Sequence, residues 1–88
     1  MEDIFLKNLP SIDLHGYDTE TARVATNDFI DDNIILKNSK VLIIHGKGKG
    51  LVKNSVHETL SHRKEVKMFH TDCFNNGCTI VHLNVDKQ

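Results

Sequence analysis

The feature that most constrains the fold of this 88-residue chain is a junction. The continuous apolar run Val41-Leu42-Ile43-Ile44 passes directly into His45-Gly46-Lys47-Gly48-Lys49-Gly50. A short β-branched run bounded by turn residues reads as a strand covered on both faces, typical of a parallel sheet. The glycine-rich loop then leads into Leu51, Val52, Val56 and Leu60, whose spacing predicts an amphipathic helix. Upstream, Ser11 to Leu14 alternates polar and apolar residues and predicts a short strand ending at Gly16. Asp18 or Thr19 can cap a following helix, with Glu20 in its first turn. Ala22, Ala25, Phe29 and Leu36, joined by Ile30 and Ile34, form its core-facing stripe to about residue 37. Glu65 to Phe69 and Thr79 to Val85 supply two more strands, separated by a loop over 70–78 that contains Asn75-Asn76-Gly77. The order is βαβαββ. Two right-handed crossovers and a hairpin predict an α/β two-layer sandwich, a mixed four-stranded sheet with both helices on one face.

A chain of this length supports one modest core, burying roughly 60–65% of its unfolded surface. Residues 11–88 therefore read as one domain, and residues 1–10 as an N-terminal arm that Pro10 punctuates and whose Ile4, Phe5 and Leu9 pack onto it. No apolar run approaches the ~20 residues of a spanning helix, and the acidic opening lacks the charge of a secretory signal. The expectation is a cytoplasmic protein with no membrane partner, whose Cys73 and Cys78 are reduced thiols. The net charge of −1 conceals a division. Residues 1–36 hold eight acids against Lys7 and Arg23; residues 37–67 hold Lys37, Lys40, Lys47, Lys49, Lys53, Arg63, Lys64 and Lys67 against Glu58 and Glu65. A basic middle third in a near-neutral chain is the footprint of an anionic ligand.

Asp13 and His15 stand two apart near the carboxyl end of the first strand, so the strand's period sends them to one face while Ile12 and Leu14 enter the core. A carboxylate beside an imidazole orients the ring and selects its tautomer, which suits acid–base cleavage of a phosphodiester. His45 and the loop Gly46-Lys47-Gly48-Lys49-Gly50 end the second strand, beside that pair if the strands are parallel neighbours. There the glycines let backbone N–H groups turn toward a phosphate, Lys47 and Lys49 supply charge, and the next helix adds its dipole. The Walker A spacing is missing, which argues against a nucleoside triphosphatase and a nucleotide cofactor.

Ile12-Asp13-Leu14-His15-Gly16, the run from Val41 to Gly50, and Gly77-Cys78-Thr79-Ile80-Val81-His82-Leu83 together resemble the small MutS-related (Smr) family in motif order and spacing, from about residue 11 to 85. The resemblance implies the same βαβαββ sandwich, cleavage of RNA or nicking of DNA as in some members, and association with the ribosome as in several. The family's D-x-H motif matches Asp13 and His15, and its H-G-K-G loop matches His45, Gly46, Lys47 and Gly48. The loop before the last strand is compressed to Asn75-Asn76-Gly77-Cys78, which bears on substrate preference.

The functional expectation is a nucleic-acid-binding endonuclease. His15 acts as general base or acid; Asp13 orients it or, alternatively, binds Mg²⁺; Lys47, His45 and the loop amides neutralise the phosphate. With RNA the 2′-OH serves as nucleophile and no metal is needed; with DNA a water and a metal take its place. One carboxylate among several basic groups tilts the reading to RNA. The alternative is a non-catalytic module that docks nucleic acid or the ribosome through the same loops. A zinc set of His70, Cys73, Cys78 and His82 matches no common module spacing and is set aside. His57 and His62 read as solvent-facing helix residues, and Tyr17 and Phe74 as loop aromatics on which a base could stack.

Overall fold

The computed structural model describes residues 9–46, 50–71 and 77–85. The elements run β1 (Ser11–Asp13), α1 (Thr19–Ile35), β2 (Lys40–Ile44), α2 (Leu51–Ser61), β3 (Val66–Thr71) and β4 (Cys78–Leu83). This is the expected βαβαββ order. The sheet order is β1-β2-β4-β3. β1 lies parallel to β2, and β4 runs antiparallel to both β2 and β3. The last strand therefore inserts between the second and third, and a β-bulge between Val66 and Met68 marks its pairing with β3. Central placement explains why Cys78 to Val81 are all buried although the strand's sequence alternates.

Cross-strand register separates the two faces. Val41 opposes Val81 and Ile43 opposes both Ile12 and Thr79. With Leu14 and Leu83, these apolar residues join Ala22 and Ile30 of α1 and Val56 and Leu60 of α2 in one core. Both helices therefore cover that face. Lys40, Leu42 and Ile44 alternate onto the other face, with their partners Ser11, Asp13, Cys78, Ile80 and His82.

Asp18 caps α1, its carboxylate accepting from the Thr21 N–H at 2.7 Å. The buried stripe of α1 is Ala22, Thr26, Ile30 and Asn33. Leu36, expected on that stripe, lies past the last turn and is 67% exposed. Its place is taken by Asn33, which donates to the Phe29 carbonyl and accepts from Asn38. In α2, Val56, Thr59 and Leu60 are buried while Leu51 is exposed. Arg63 fastens the layers together, reaching Asp31 and Asn27 on α1 and Glu65 before β3. Its charge is paired within the fold, so it does not belong to the free basic surface that the sequence suggested.

Leu9 is partly buried; Ile4 and Phe5 lie outside the described residues. Among the described residues no helix is long and apolar enough to cross a membrane.

Candidate active site

The expected pair forms at the end of β1. His15 Nδ1 stands 2.8 Å from Asp13 Oδ1, and the His15 backbone N–H donates to the same oxygen at 3.1 Å. A carboxylate only accepts, so Nδ1 carries the proton, and in the neutral ring Nε2 then presents the lone pair. Both side chains are exposed. The hydrogen bond from the His15 ring, then the one from its backbone, holds the Asp13 carboxyl below its ordinary range. Asp13 is thus an anion at neutral pH whose task is to orient one imidazole.

Parallel pairing of β1 with β2 brings the second loop alongside. Gly46 sits at φ +85°, and a Cβ there would stand 3.2 Å from His15 Cβ. Only glycine meets both demands, and the two sequence motifs touch at this point. The Gly46 and His45 N–H groups both donate to the Gly77 carbonyl, so neither amide is aimed at a ligand. Lys47, Gly48 and Lys49 lie outside the described residues.

Gly50, also at φ +85°, begins α2 with no side-chain cap, which leaves the Leu51, Val52 and Lys53 amides without partners inside the helix. These residues line a cleft of about 610 Å³ with His15, Gly46 and Tyr17. An uncapped helix N-terminus beside a lysine is a ready receptor for a phosphate. Lys53 was not singled out by the sequence reading, although its place in the first turn after the glycine loop was a usable signal.

His45 is 4% exposed and points into the protein. Its Nδ1 lies 3.1 Å from the Gly46 carbonyl, and its Nε2 lies 2.7 Å from Thr79 Oγ1. His57 Nε2 approaches the same hydroxyl at 2.8 Å. The proton positions follow by elimination. A carbonyl only accepts, so His45 Nδ1 donates and its Nε2 accepts the Thr79 hydroxyl proton; that hydroxyl then accepts from His57 Nε2–H. The chain of bonds requires His45 to be neutral and His57 Nε2 to carry a proton. Burial pushes both histidines below the ordinary value, reinforced by the Lys53 charge and, for His57, by His45. His57, expected to face solvent, is instead half-buried with its ring 4.8 Å from that of Phe69. His45 thus holds the loop from beneath and gives the cleft only a sliver of its lining.

Among the described residues no group of three or more histidine, cysteine or acidic side chains is placed to hold a metal ion. Asp13 has one oxygen committed to His15, which leaves its other oxygen as the single carboxylate donor beside the ring. The zinc set is no better matched. Cys78 and His82 are four residues apart on one strand, about 13 Å, too far to ligate one ion. Cys78 is buried; Cys73 and Phe74 lie outside the described residues.

A family model described as the Smr domain matches residues 12–84. Curated relatives include endonuclease MutS2 of Geobacillus sp., 40% identical over 68 residues, 77% of this chain and 9% of the relative. Endonuclease MutS2 of Clostridium novyi is 34% identical over 76 residues, 83% of this chain and 10% of the relative. The chain thus spans about a tenth of those proteins. Among solved structures, the Smr domain of Thermus thermophilus MutS2 superposes with a TM-score of 0.82 at 26% identity, covering 85% of this chain and 98% of that one. YdaL, a stand-alone small MutS-related protein from Escherichia coli, gives 0.79 at 27% identity over 83% and 63%.

Proposed function

The chain belongs to the Smr domain family, and from that premise we propose that it is a nucleic-acid-binding endonuclease domain that cleaves single-stranded RNA without a metal. The observation that carries the reading is the exposed His15 imidazole, held by Asp13 so that Nε2 is free at the mouth of the cleft. The family relation adds weight, since the similar region of MutS2 belongs to proteins named endonucleases.

The phosphate docks against the first-turn amides of α2 and Lys53, with Lys47 and Lys49 contributing charge from the loop. His15 Nε2 removes the proton from a ribose 2′-hydroxyl as that oxygen bonds to phosphorus. The bond from phosphorus to the 5′-oxygen breaks, and that oxygen takes a proton from water in the open cleft. The products are a 2′,3′-cyclic phosphate and a free 5′-hydroxyl. His15 returns its proton to solvent. Asp13 stabilises the imidazolium while it exists, and His45 with Gly46 keeps the loop against His15.

End-labelled single-stranded RNA and supercoiled plasmid DNA, each with Mg²⁺ or EDTA, test this against His15→Ala. RNA cleavage that persists in EDTA and disappears in the variant supports it. Plasmid nicking that needs Mg²⁺ moves the substrate to DNA. Binding without cleavage of either moves the domain to the docking module, with ribosome co-sedimentation as the next assay.

A further inference from the structure

The helix-free face of the sheet carries a second cluster of basic side chains, at the end remote from His15. Lys40 begins β2 and opposes His82 of β4, which in turn opposes Met68 of β3. His70 lies diagonally across from His82, and their rings stack at 5.5 Å with 26° between planes. Burial, and then the repulsion of Lys40, His70 and Lys67, pushes His82 below the ordinary histidine value. Among the described residues no ion pair links Lys40, Lys67, His70 or His82 to an acid, whereas Arg23 and Arg63 are both paired. A cavity of about 440 Å³ opens beside the cluster, where Ser39 and Asn84 add a hydroxyl and an amide to Lys40, Lys67 and His82. Lysine charges gathered on one patch raise the energy of the free protein and favour an anion complex.

Register places this cluster on the same face as the catalytic pair. Ser11 and Asp13 oppose Leu42 and Ile44, which alternate with Lys40 along β2. The run from Lys40 to Ile44 separates the two ends by about 13 Å. The exposed His70 ring and Met68, 50% exposed, offer surfaces on which an unpaired base can stack.

We propose that Lys40, Lys67 and His82 form a second phosphate-binding site, and that a single nucleic-acid strand runs from the His15 cleft along the exposed β1 side of the helix-free face, past Asp13 and Ser11, to this cluster, stacking a base on His70. The inference rests on the nucleic-acid reading above and extends it from one phosphate to a track several nucleotides long. It makes the domain selective for strands long enough to reach both ends.

The test measures anisotropy of 2′-O-methyl oligonucleotides, which cannot be cleaved, as a dinucleotide and as a longer strand over a series of salt concentrations. The wild type binds the longer strand more tightly and with a steeper salt dependence. The double variant Lys40→Gln/Lys67→Gln lowers the salt slope by about 1.4 on the longer strand, two contacts at about 0.7 each. It also removes most of the affinity advantage of length. Lys64→Gln, which deletes an equal charge elsewhere, leaves the slope unchanged. Thermal melts establish that each variant is folded. A double variant matching the wild type on the longer strand overturns the track while leaving the cleft reading intact. A wild type that binds neither strand overturns both.

Discussion

At the scale of single residues, the site depends on which atoms carry protons. Asp13 assigns the proton of His15, and the Gly46 carbonyl, through His45 and Thr79, assigns that of His57. The Asp-x-His pair was legible because a strand's period of two dictates the shared face. His57 was not, because its burial depends on Phe69 and Thr79, which approach the helix from β3 and β4. Thr79→Val keeps the shape of a fully buried residue and removes the hydroxyl that joins the two rings. We expect a loss of about 1–3 kcal/mol in urea denaturation, the cost of leaving buried polar atoms without partners. A variant as stable as the wild type contradicts the assigned chain of hydrogen bonds.

At the scale of elements, the apolar run of β2 and the helical spacing of Ala22, Phe29 and Ile30 marked their segments from sequence alone. The error at Leu36 arose because the stripe of α1 includes two polar residues, Thr26 and Asn33, that hydrophobic periodicity passes over. Asn33 satisfies its amide within the turn that ends the helix. Thr26 is fully buried, and its hydroxyl has no hydrogen-bond partner among the described residues. Thr26→Val therefore replaces an unsatisfied polar atom with a methyl group of similar shape. The expected gain is about 1 kcal/mol, read as a raised thermal midpoint. The insertion of β4 between β2 and β3 was not encoded locally, since alternation reports a face and not a neighbour.

At the scale of the whole molecule, the two faces divide the work: the helices cover one side of the sheet, and the other carries Asp13 at one end and Lys40 at the other. The division of charge along the sequence marks a basic segment, but strand order determines where its lysines meet. The buried histidines also couple the fold to pH. His45, His57 and His82 all have folded values below the ordinary one of about 6.5, so the unfolded chain binds their protons first. Their contribution to stability is complete at neutral pH. It declines as pH falls through about 6.5 toward the depressed folded values. Urea midpoints from pH 7.5 down to about 5 should fall steadily from these groups. Midpoints that stay level across that range contradict the neutral assignment of the pair beneath the loop.

The central claim is that His15, oriented by Asp13, uses the 2′-hydroxyl of RNA as its nucleophile. It is tested most directly by analysing the termini produced from a defined single-stranded RNA in EDTA, beside the same strand carrying 2′-deoxyribose throughout. The account predicts 2′,3′-cyclic phosphate and 5′-hydroxyl ends from the ribose strand, and an intact deoxyribose strand. Products ending in a 5′-phosphate, or equal cleavage of both strands, would contradict it and make water the nucleophile.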